Sequence, residues 1–147
     1  MTPEQVFSLA NTTALLGWLL LVILGPRRWV APLVTGAILP LLFAILYASL
    51  LVAHWGDTPG GGFGSLAQVS ALFSNRWLLL AGWVHYLAFD LFIGSWQVRD
   101  ARANNIPHWF VIPCLILTFM LGPTGWLLYF LIRVVRVRSL SLDSAAR

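Results

Sequence analysis

The chain has no lysine, a single cysteine and very little charge of either sign. Only 10% of its 147 residues are charged and 59% are hydrophobic, against roughly 25% charged in an ordinary soluble domain. So little charge cannot cover a water-facing surface, and the apolar excess must face lipid. All nine basic residues are arginines and the net charge is +4, a balance that taken alone would suit nucleic acid. Their placement points elsewhere. Arg27, Arg28, Arg99, Arg102, Arg133, Arg136 and Arg138 sit at the edges of apolar stretches, where basic residues anchor helix ends among headgroups. No nucleic-acid partner is expected from that distribution.

The lone Cys114 excludes an internal disulfide and, inside an apolar run, reads as a small core residue. Also missing are a phosphate-cradling loop, a CxxC pair and a serine-nucleophile motif. Gly60-Gly61-Gly62 lacks the lysine and the helix start that a phosphate cradle needs. The first apolar stretch has neither a basic leader nor a small-residue cleavage pattern, and Glu4 is its only early charge. It is expected to be a retained first span.

A span needs about 20 apolar residues to cross roughly 30 Å of hydrocarbon. Four candidates follow, at about residues 6–24, 30–54, 76–98 and 107–132. The fold expected is therefore all-α, a single membrane domain built as a bundle of four transmembrane helices, in the bacterial inner membrane. The first span closes on Gly25-Pro26-Arg27-Arg28-Trp29; Pro40 predicts a kink near Ala37 in the second. Residues 55–75 form a loop whose second half, about residues 66–73, is apolar enough to lie along an interface. The fourth stretch holds Pro113 and Gly122-Pro123-Thr124-Gly125, so it is expected to be kinked there, with a polar tail from Arg133. The alternative, a hairpin at Gly122 to Gly125, would gather almost all arginines on one side. Its arms, about 14 residues each, would be too short to cross.

An ionisable side chain inside a span is a functional candidate by default, because it costs several kcal/mol unless paired or hydrated. Asp90 lies roughly 21 Å along a helix from Arg76, near mid-membrane. His85 and Asp90, about 140° apart on an ideal helix, are expected to border one pocket from two edges as proton-transfer residues. Tyr86 shares the Asp90 face. Depth arithmetic brings Asn11 level with His85 and Thr118 level with Asp90, as orienting groups. Trp83 and Phe89, with other aromatics, can line a groove for a flat apolar ligand. The plain alternative for Asp90 is a neutral carboxyl that joins helices by hydrogen bonds. His54 and His108 are expected at opposite ends of the bundle, beside Trp55 and Trp109, and no metal site is expected.

The block from Gly82-Trp83-Val84-His85-Tyr86 through Phe89-Asp90-Leu91-Phe92-Ile93-Gly94, then Asp100-Ala101, Ile106-Pro107-His108, Pro113-Cys114-Leu115 and Leu121-Gly122-Pro123-Thr124-Gly125, resembles the bacterial branch of the abscisic-acid-deficient-four-like family. The resemblance runs from the Asn11 span to Arg133 and implies a four-span protein related to one needed to make neoxanthin from violaxanthin. That reaction isomerises a carotenoid epoxide to an allenic alcohol. It needs a proton donor at the oxygen and a base at the neighbouring carbon, roles that a carboxyl and an imidazole can fill. The expectation is a membrane protein acting on a carotenoid or related isoprenoid. The alternatives are metal-dependent oxidative cleavage of beta-carotene to retinal, and a non-enzymatic carotenoid-binding or scaffold subunit. A homo-oligomer or a biosynthetic enzyme is a possible partner beyond the bilayer itself, and no motif names a cofactor.

Overall fold

The computed structural model describes residues 1–142, which are helical with no strand among them. The helices are α1 (Pro3–Leu24), α2 (Leu39–His54), α3 (Leu66–Ser74), α4 (Arg76–Ala103), α5 (His108–Leu121) and α6 (Pro123–Val137). Three helical runs are long and apolar enough to cross a membrane: Pro3–Leu24, Val30–Asp57 and Arg76–Ala103.

Local chemistry fixes the starts. Thr2 and Gln5 form a capping box that opens α1. Asn75 opens α4 by accepting from the main-chain N–H groups of Trp77 and Leu78. Ahead of α2 the chain is a π-helix over Val30–Ile38, so the expected irregularity near Ala37 takes the form of a change of helical register just before Pro40. Pro40 has no N–H to donate and sits in the first turn of α2, where none is needed. Thr35, buried in the π-helical segment, bonds back to the Val30 carbonyl and accepts from the Ser95 hydroxyl on α4 at 2.7 Å.

Helix α4 is the centre: half of its apolar window is buried, against 11% for the second long helix. Small residues allow close approach, with Gly17 of α1 against Leu91 of α4 and Gly94 of α4 against the Trp18 ring of α1. The outward faces remain apolar, as at Leu15, Leu16, Leu41, Leu42 and Ile45, which suits a lipid surround.

Contacts at the helix ends give the directions. Glu4 pairs with Arg76 at one end of the molecule. At the other end, Arg102 Nη2 donates to the carbonyls of Gly25, Pro26 and Arg27 at 2.9, 3.0 and 3.1 Å. Helices α1 and α4 therefore run parallel. The His54 ring stacks on Trp77, so α2 runs antiparallel to both.

The fourth expected span is not one helix. Pro113 lies inside a continuous α5, and the break falls at Gly122, with φ 48° and ψ −102°, a conformation open to glycine and not to other residues. Pro123 then starts α6. The two helices fold back on one another: Gly125 packs so closely on Thr118 and Cys114 that a Cβ there would collide, and Arg136 near the end of α6 lies 4.2 Å over the ring of Phe110 near the start of α5. The bundle is thus three long helices plus a helical hairpin. Arms of 14 and 15 residues rise about 21 to 23 Å at 1.5 Å per residue, short of the hydrocarbon thickness.

Arg133, expected to begin a polar tail, is instead fully buried inside α6. Its Nε donates to Asp100 Oδ2 at 2.8 Å, and the Tyr129 hydroxyl donates to the same oxygen at 2.6 Å. This cluster ties the returning arm to the last turns of α4.

Candidate functional site

A hairpin that rises only part of the way along α1 and α4 leaves the rest of their shared groove uncovered. The tip sits beside Asp90: a Cβ on Gly122 would stand 3.2 Å from each carboxylate oxygen of Asp90 and 3.5 Å from Cε2 of Tyr86. The Tyr86 hydroxyl donates to the Phe119 carbonyl at 3.2 Å, in the last turn before the tip. Between this contact and the Glu4–Arg76 end lies an open cavity of about 600 Å³, walled by Phe7, Phe73, Leu80, Trp83 and Tyr86. Asp90 is one helical turn beyond Tyr86, behind that wall and outside the cavity's lining.

Asn11, expected level with His85, instead meets Trp83: the indole N–H donates to Asn11 Oδ1 at 2.7 Å, joining α4 to α1 along one wall. The Trp83 ring also packs on Phe7 and Tyr86, with centroids 5.7 and 5.3 Å apart. Asn11, Trp83, Tyr86 and Asp90 therefore form one group. Asp90 is half-buried, and its buried Oδ2 has no hydrogen-bond partner among the described residues. Thr58 Oγ1, Gln97 Oε1, Arg99 Nε and Arg133 Nη2 are likewise buried without a partner; Asp90 is the carboxylate among them and lies in a span, where an ionisable group is costly and a functional candidate.

The structure separates the other expected members from this group. His85 faces α2, with its ring 5.3 Å from Tyr47 and 4.7 Å from Phe89. It lines a second, smaller cavity of about 220 Å³ with Tyr47, Leu51 and Phe63. The single pocket bordered by His85 and Asp90 does not form, because the turn of about 140° between them carries the imidazole to the α2 side of α4. Phe89, one helical turn on, goes with His85 and is 58% exposed. Thr118 is not level with Asp90 either: its hydroxyl accepts from Gln97 Nε2 at 3.0 Å, seven residues further along α4.

Sequence reasoning missed Phe7 and Phe73 as cavity walls, Gly122 as the residue against the carboxylate, and the Asp100–Tyr129–Arg133 cluster. Tyr129 and Arg133 stand four apart and so share a helix face, a signal that one acidic partner could satisfy both. The three histidines occupy separate places: His54 Nδ1 lies 2.8 Å from Asp57 Oδ2, and His108 Nε2 lies 3.0 Å from the Val22 carbonyl at the opposite end. Among the described residues no three His, Cys, Asp or Glu side chains come together as a metal set.

No curated protein and no solved structure matches the chain. A family model does match, over residues 5–129, from the first turn of α1 to Tyr129 of α6, and so takes in Asn11, Trp83, Tyr86, Asp90 and Gly122. The chain belongs to the ABA DEFICIENT 4-like family.

Proposed function

We propose that this protein binds a carotenoid or related isoprenoid in the cleft above the hairpin and isomerises it by proton transfer at Asp90. Family membership supports a carotenoid-related role at the level of the family. The observation that carries the finer reading is the Asp90 carboxyl, with one buried oxygen unpartnered among the described residues, one helical turn beyond Tyr86 in the wall of a mostly apolar, aromatic-walled cavity. Long conjugated molecules are flat and apolar, and aromatic walls of this kind suit them. A carboxyl reached past that wall can give a proton to one substrate atom and take one back from a neighbouring atom, which rearranges bonds without an oxidant. Tyr86, hydrogen-bonded to the hairpin tip, fixes the wall beside the carboxyl. In this reading Asp90 is catalytic, Asn11, Trp83 and Tyr86 position the ligand, and His85 belongs to the neighbouring cavity.

The same reading sets the protein in a bilayer. The three long helices cross it, the hairpin enters and leaves on one side, and that side carries Arg27, Arg28, Arg99, Arg102, Arg133, Arg136 and Arg138. By the positive-inside rule that side faces the cytoplasm of a bacterial inner membrane.

The test is the pigment profile of a carotenoid-producing bacterial host expressing the wild-type chain, Asp90→Asn or His85→Ala, each at equal membrane level. The reading expects a product peak with wild type and His85→Ala and none with Asp90→Asn. An unchanged profile for all three, with pigment still co-purifying, would transfer the protein to the non-enzymatic carotenoid-binding class.

A further inference from the structure

The arginine-rich end of the bundle holds a second cleft, of about 290 Å³, between the end of α1, the last turns of α4 and the start of α5. Its polar lining is Arg28, Arg102 and His108, two guanidinium groups and an imidazole, over an apolar floor of Val98 and Ile106. Arg102 is held rigidly, because one of its terminal nitrogens is spent on the three carbonyls that end α1. Its other two nitrogens make no hydrogen bond among the described residues, and no carboxylate pairs with Arg28 or Arg102 there. The nearest acidic side chain in sequence, Asp100, is already occupied by Tyr129, Arg133 and Asn104. His108 contributes twice. Its ring is fixed against the Val22 carbonyl, and its main chain opens α5 behind Pro107, which offers no side-chain cap. The first N–H groups of a helix lack internal partners and carry partial positive charge.

We propose that this cleft is a binding site for a phosphate group, carried either by a phospholipid headgroup or by a free phosphate. A pre-positioned guanidinium, a second guanidinium free to close over the top and an uncapped helix start are the parts from which phosphate sites are made. The cleft lies roughly 18 Å along α4 from Asp90, at the end where headgroups stand, so it is separate from the isoprenoid cleft and does not rest on that assignment.

Arg28→Gln is the informative substitution, because Arg28 is exposed and its side chain makes no hydrogen bond or ion pair among the described residues, whereas removing Arg102 would also strip its bonds from the carbonyls at the end of α1. Arg138→Gln, exposed just past α6, removes the same charge from the same end outside the cleft. The full chain in maltoside micelles is examined by native mass spectrometry with phosphatidylglycerol, with diacylglycerol as the phosphate-free lipid, and with inorganic phosphate as competitor. The site predicts one tightly retained phosphatidylglycerol per chain, no retained diacylglycerol, and a loss of about tenfold in affinity for Arg28→Gln, the scale of one charge-assisted hydrogen bond. Arg138→Gln leaves retention unchanged. Displacement by inorganic phosphate assigns the site to the phosphate itself; retention against it assigns the site to the lipid headgroup. Equal retention of both lipids, or equal losses in Arg28→Gln and Arg138→Gln, would overturn the site in favour of diffuse attraction.

Discussion

Helix α4 carries two aspartates ten residues apart, and the protein treats them in opposite ways. Asp100 accepts from Tyr129 and Arg133 on one oxygen and from Asn104 Nδ2 at 3.1 Å on the other. Asp90 faces a glycine, and one of its oxygens is buried with no partner. The first arrangement is what a buried charge needs in order to hold a structure together. The second is one that stability alone gives no reason to keep. The hairpin links them: its returning arm satisfies Asp100, and its tip stops at Asp90. The same fold-back that locks one end therefore opens the cleft at mid-depth.

The contrast is broken most severely at its anchored side. Arg133→Ala strips Asp100 of its counter-charge in a dry environment and is expected to cost about 3 to 5 kcal/mol, read as the shift of an unfolding midpoint in mixed micelles. Next comes Gly122→Ala, which adds a Cβ at positive φ and presses it toward both Asp90 oxygens; about 1 to 3 kcal/mol is expected in the same assay. Trp83→Phe removes the interhelical bond to Asn11, about 0.6 kcal/mol as is usual for such a bond in a membrane protein, together with part of the ring that packs on Phe7 and Tyr86. The smallest stability effect belongs to Asp90→Asn, within about 0.5 kcal/mol of wild type, since it withdraws no hydrogen bond from its Oδ2. Its effect on turnover is expected to be the largest of the four. If Asp90→Asn unfolds the protein as Arg133→Ala does, the two aspartates do the same job and the contrast fails.

The helical class and the three long helices were legible because hydropathy over 20 residues is a direct readout of burial in lipid. Pro40 announced the irregular start of α2, while Asn11, expected level with His85, bonds Trp83 on the parallel α4. The hairpin was harder to read. A run of 26 apolar residues has the same composition whether it crosses once or rises and returns, and only long-range pairing separates the two. Asp100 and Arg133 carried that information: two opposite charges, 33 residues apart, that satisfy each other only if the chain comes back to the same level. Thr118, on the rising arm before the turn, accepts from Gln97, seven residues further along α4 than Asp90. His85 and Asp90 were separated by their own spacing, since residues five apart on a helix face different neighbours.

The central claim is that Asp90 is free to act because Asp100 is not, and one paired experiment addresses it. Asp90→Asn and Asp100→Asn are expressed side by side in a carotenoid-producing host, and folded protein in the membrane and pigment conversion are measured for each. The account predicts wild-type amounts of folded Asp90→Asn protein with no conversion, and a loss of folded protein for Asp100→Asn with whatever remains still converting. Conversion by Asp90→Asn, or an inactive but fully folded Asp100→Asn, would contradict it.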